Sequence, residues 1–151
     1  MNDYLEFIHT DDLSVLSDKC TAKRCTHFRT IAELYIFAEK LQDLECKKAL
    51  IQRLCSHILE RRQDGKSFAP ECSVVRKIYQ ATAGGDPIRV LLVDVRKTCK
   101  ITIEQVRDLP NEFLEDLIKS FQASMDTMRP REDNFFNKGA QYYMDKVGGS
   151  D

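Results

Sequence analysis

The sequence reads as an all-α, or nearly all-α, fold: a helical hairpin followed by a further helical bundle. Three observations carry that reading. Apolar residues recur at helical spacing from Ile31 to Phe121, with no convincing period-two run. Helix-starting and helix-stopping residues fall between the periodic segments. No internal repeat at a fixed period points to a solenoid instead.

Tyr4, Leu5, Phe7 and Ile8 form a short apolar cluster that fits a short N-terminal strand or a turn of helix equally. Thr10 to Phe28 is rich in Asp, Ser, Thr and Lys, so residues 1–28 are assigned to a strand and loop segment. Thr30-Ile31-Ala32-Glu33 has the spacing of a capping box and predicts a helix start. Ile31, Leu34, Tyr35, Ala38 and Leu41 follow at helical spacing, and Ile36 and Phe37 widen the apolar arc, which predicts a central helix. Gln42-Asp43 is a short break, with Asp43 as the cap of a second helix. Leu50, Ile51, Leu54, Cys55, Ile58 and Leu59 form its stripe; Lys47, Lys48, Arg53, Arg61 and Arg62 lie mostly off it and read as a solvated face. Asp64-Gly65 ends that helix. So short a connection predicts an antiparallel hairpin.

Pro70 and Glu71 suit the first turn of a third helix, with Val74, Val75, Ile78 and Tyr79 facing inward. Gly84-Gly85 stops it. Asp86 then serves as N-cap and Pro87 as first residue of the next helix, whose Ile88, Leu91, Leu92, Val95 and Cys99 have the cleanest helical period in the chain. Thr102 to Asp108 fits a short helix. Pro110 opens a last one with Phe113, Leu114, Leu117, Ile118 and Phe121. The helical domain is therefore assigned to residues 29–128. After Arg129-Pro130-Arg131 the composition turns polar, and residues 129–151 are assigned to a mobile polar tail. Its Phe135, Phe136, Tyr142 and Tyr143 suit docking onto the domain or onto a partner equally.

Composition narrows the function. The 151 residues suffice for one domain with a core of its own. Lys plus Arg number 23 against 24 Asp plus Glu, a net charge of -1, which speaks against a general nucleic-acid binder. No apolar run is long enough to cross a bilayer, and the acidic start does not read as a signal peptide. The expectation is an intracellular protein, cytoplasmic or nuclear, with its six cysteines reduced.

No constellation of reactive residues stands out. Cys20, Cys25 and His27 offer zinc-type ligands but lack a fourth ligand and the paired spacing of a zinc site. Cys55 and His57, two apart on a helix, point in different directions and cannot act directly as nucleophile and base. Asp94 has no Ser–His arrangement to join and suits capping, ion pairing or solvation. Gly84-Gly85-Asp86 is explained by a helix–helix turn, since no phosphate-loop motif accompanies it. No catalytic residue, cofactor or metal is assigned.

Several segments, taken in order, resemble one family. Ile31-Ala32-Glu33-Leu34-Tyr35-Ile36-Phe37-Ala38-Glu39-Lys40-Leu41 resembles the "LYxFAdKL" helix of fungal BTB/POZ-domain proteins. Val74 to Thr82 is similar to their "vxxvYxxT" segment, Gly84 to Asp94 to "xgSpLRxLLVD", and Leu109 to Leu117 to "lPxeFlxDL". Phe7 to Leu13 is similar to the "ylYTGxL" end of the last BTB strand region, with His9 in place of Tyr and Asp11 in place of Gly. Asp86 stands where the family has Ser, which keeps the capping ability. The resemblance covers residues 4 to 120 and corresponds to the final helical hairpin of a BTB domain plus the helices after it; the N-terminal half of the BTB sheet has no counterpart.

The resemblance implies a non-enzymatic adaptor or scaffold that binds other proteins, BTB-type proteins or a cullin among them; the charge balance and the lack of a long apolar run add the expectation of no direct nucleic-acid or membrane contact. The alternative is a transcription-related regulator that contacts nucleic acid directly or through a partner. With the sheet half absent, Leu34, Phe37 and Leu41 are expected to be partly exposed, or covered by the tail or another chain. Together with Phe135, Phe136, Tyr142 and Tyr143 they form the candidate interaction surface.

Overall fold

The structure, a computed structural model, describes residues 26–63, 69–126 and 135–149. Among these residues it holds seven helices and no strand, which bears out the all-α reading. The expected N-terminal strand lies outside the described residues.

Helix α1 spans Thr26–Leu41, so it starts a turn before the cap expected at Thr30. Glu33 does not turn back to close a capping box. Its carboxylate accepts from Arg29 Nε at 3.2 Å and from Lys77 Nζ at 3.0 Å. The added turn is anchored by Phe28, which is buried and packs edge-on to the His57 ring at 4.8 Å between centroids. The chain leaves α1 through Gln42 in the left-handed region, with φ 56. Asp43 then caps α2, Leu44–Gln63, its Oδ1 accepting from the Cys46 N–H at 3.0 Å. Glu39 meets Lys47 at one end of the pair and Phe28 meets His57 at the other, so α1 and α2 are the antiparallel hairpin expected.

The solvated face assigned to the basic residues of α2 needs a correction at Lys47. Its side chain is buried between the carboxylates of Glu39 and Asp86. A buried ammonium survives only with such partners.

Helix α3, Cys72–Ala81, buries Val74, Val75, Ile78 and Tyr79 and packs on α1. Glu71 stands just outside it as N-cap. Gly85, at φ 83, makes the turn into α4, Pro87–Lys97. Asp86 caps α4 as expected, its Oδ1 accepting from the Ile88 N–H at 3.1 Å. Every residue of α4 from Leu91 to Arg96 is buried. This helix, and not α1, is the enclosed one: α3, α6 and α7 all pack on it.

The short helix α5, Ile103–Asp108, carries a true capping box, Thr102 with Gln105. It lets α6, Asn111–Asp126, run parallel to α4. Arg89 meets Glu112 near the start of both helices, and Lys97 reaches Ser120 and Ser124 at 3.0 Å further along.

The assignment of a mobile polar tail to residues 129–151 needs correcting at residues 135–149, the part of it that lies within the described residues. Phe135–Met144 is helix α7, followed by a turn through residue 148, and it packs on α2 and α4. Phe135, Tyr143 and Val147 belong to the core, because a polar average hides three well-placed apolar side chains.

Candidate interaction surface

Helix α6 carries more apolar residues than its neighbours cover. Phe113 and Leu117 point into the core, and Leu114 packs at its edge. Ile118, Phe121 and Met125 are 57%, 44% and 78% exposed. Spaced three and four apart, they lie on one face over two turns. Exposed Glu115, Gln122 and Asp126 border that face. Lys97 is fixed beside it by Ser120 and Ser124, with its ammonium 5.8 Å from the Phe121 ring centroid. The result is a contiguous apolar strip with a polar border, the form that a protein-binding surface takes.

Of the residues expected to form the interaction surface, Phe135, Phe136, Tyr142 and Tyr143 are brought together as an aromatic cluster, but the seven do not form one exposed face. Leu34, Phe135 and Tyr143 are buried, which removes them as direct contacts for a partner. Phe37 and Phe136 are half-buried against the core. Leu41, 56% exposed, does stand open at the end of α1, beside exposed Leu44. Tyr142 is partly exposed, with the Lys138 and Lys146 ammonium groups at 4.8 and 4.9 Å from its ring centroid. The open strip on α6 was missed because Ile118 and Phe121 continue the helical period of Phe113 and Leu117. The available signal was the width of the arc, with Met125 extending it.

A cleft of about 250 Å³ with mixed polar and apolar walls lies where α4, α6 and α7 meet. Arg89, Asp94, Asp116, Lys119, Ser120 and Lys138 help to line it. Several of these groups are turned inward. Asp94 Oδ2 accepts from Lys138 Nζ and from the Tyr143 hydroxyl, each at 2.9 Å. Asp116 accepts from the Tyr79 hydroxyl at 2.9 Å. Burial, then the adjacent carboxylates, push both phenols far above their usual range, so they act as donors. Cys55 is likewise driven up to about 12 by burial, and its thiol is not a nucleophile at neutral pH. Among the described residues, no group of three or more metal-ligating side chains sits together. Cys20 and Cys25 lie outside those residues. No described helix is long and apolar enough to cross a membrane.

Fold and surface together define an all-α helical assembly with an apolar outer face on α6. No family model, no curated protein and no solved structure matches the chain.

Proposed function

We propose that the chain is a non-enzymatic protein–protein interaction module, an adaptor or scaffold that docks a partner protein on the outer face of α6. The observation that carries this reading is the exposed strip Ile118, Phe121 and Met125. Removing it from water favours association by roughly 25 cal/mol per Å² before the costs of binding are subtracted. Phe121 is the anchor at its centre, and the polar border sets register. The order of the BTB-like motifs supports the narrower reading, a BTB-type adaptor with other BTB-type proteins or a cullin as partner. Such a protein works in the cytoplasm or nucleus.

The test is quantitative affinity purification of the tagged chain from native extract, comparing the natural protein with the double variant Ile118→Lys/Met125→Lys. Both side chains are exposed, so the variant keeps the circular dichroism of the natural chain. The expected result is one protein recovered in near-stoichiometric amount with the natural chain and about tenfold less with the variant. A BTB-type protein or a cullin in that position supports the narrower reading. Equal recovery by both forms, or recovery of the chain alone, overturns the α6 surface.

A further inference from the structure

We infer that residues 135–149 form a latched strap that leaves the rest of the fold as a unit, with Asp94 as the latch. The first observation is a break. Gly139, at φ 70 and ψ 170, divides α7 into two pieces of about one turn each. Helical pieces this short do not hold their shape in water, so the order of the strap depends on docking.

The second is where the strap is fastened. Its apolar anchors Phe135, Tyr143 and Val147 enter the core, with α7 lying against α2 and α4. Among the described side chains, two of its hydrogen bonds to α4 converge on one atom, Asp94 Oδ2. Lys138 donates from before the Gly139 break and the Tyr143 hydroxyl from after it. One carboxylate oxygen thus holds both halves in register, and losing either donor loosens the whole strap.

The third is a contrast. Asp86 gathers groups from α1 and α2 at the head of α4, and Arg89 joins α3, α4 and α6. Removing the strap breaks none of these ties. Opening uncovers the face that α2 and α4 turn to the strap and gives the Asp94 carboxylate access to water. The strap therefore governs access to that face.

Hydrogen exchange read by mass spectrometry on the full chain tests this, with Tyr143→Phe and Lys138→Met as variants. In the natural chain the amides of residues 140–147 are expected to exchange at least tenfold faster than those of 88–95. Each variant removes a bond to a buried charge. It should speed 140–147 by about a further tenfold, and 88–95 by the same factor, because the docked state is the reference for both openings. Equal rates in the two segments of the natural chain overturn the proposal. So does an unchanged rate of 140–147 in both variants, which means that the bonds to Asp94 do not hold the strap down.

Discussion

Arg89 sits inside the protein with its guanidinium 4.1 Å from the Tyr79 ring centroid. Its N–H groups donate to the carbonyls of Tyr79 and Thr82, to the Thr82 hydroxyl at 3.0 Å and to Glu112 at 2.8 Å. A helix ends with unpaired carbonyls and a partial negative charge, and α3 ends here. A planar fork of donors meets several of those acceptors at once, which a lysine ammonium cannot do. Arg89→Lys should therefore cost about 2 kcal/mol, read as a fall of about 1 M in the urea midpoint. Glu33 illustrates the weaker surface case. The hydrogen bond from Lys77 outweighs its partial burial and, with help from Arg29, holds its pKa below the ordinary 4.5. A carboxylate lowered on folding stabilises the fold above its unfolded pKa, and that stability is lost as pH falls through the folded value. The pair is half-exposed, so the effect is about 0.5 kcal/mol or less. Lys77→Met should show that loss at pH 7 and none at pH 2, by urea unfolding at both.

Between α1 and α2 the chain makes two bonds typical of a helix end closed by a left-handed residue. The Asp43 N–H donates to Ala38 O at 3.0 Å and the Gln42 N–H to Glu39 O at 3.1 Å. The left-handed residue is Gln42, where glycine would carry no Cβ penalty. Gln42→Gly should stabilise the protein by about 0.5–1 kcal/mol, raising Tm by about 2–3 °C in a thermal melt. The same elements show what was legible in advance. Asp43, Asp86 and Pro87 were readable because a cap acts on its own next few residues. Thr30–Glu33 was misleading because the spacing of a capping box says nothing about the turn before it, and buried Phe28 extends α1 there. Lys47 and Asp94 were illegible because their partners, Asp86 and Glu39 for one, Lys138 and Tyr143 for the other, arrive from other elements. The strip on α6 was half legible. Periodicity placed Ile118 and Phe121 on an apolar arc but could not say which part of that arc a neighbour covers.

Across the whole molecule, the hairpin meets the later helices at Asp86. Its Oδ1 accepts from the Tyr35 hydroxyl of α1 at 2.7 Å, and its Oδ2 accepts from Lys47 Nζ of α2 at 3.3 Å. The same carboxylate caps α4, so three helices depend on one side chain that is only 7% exposed. Burial and the nearby Asp86 charge push the Tyr35 phenol far upward, which keeps it a donor throughout the working pH range. Lys47→Met leaves two carboxylates facing one another without their shared cation and should cost about 3–4 kcal/mol. Tyr35→Phe removes one bond to a charge and should cost about 1.5–2 kcal/mol. Because both act through Asp86, the double variant should lose at least about 1 kcal/mol less than the sum of the two, in urea unfolding of all four proteins at one pH. Far- and near-ultraviolet circular dichroism should give coincident curves for the natural chain, since hairpin and later helices share this carboxylate as well as one apolar core. Simple additivity would mean that Lys47 acts through Glu39 within the hairpin. A transition split in two by Lys47→Met would mean that apolar contact alone does not hold the hairpin to α4, and that the charge cluster supplies the cooperativity.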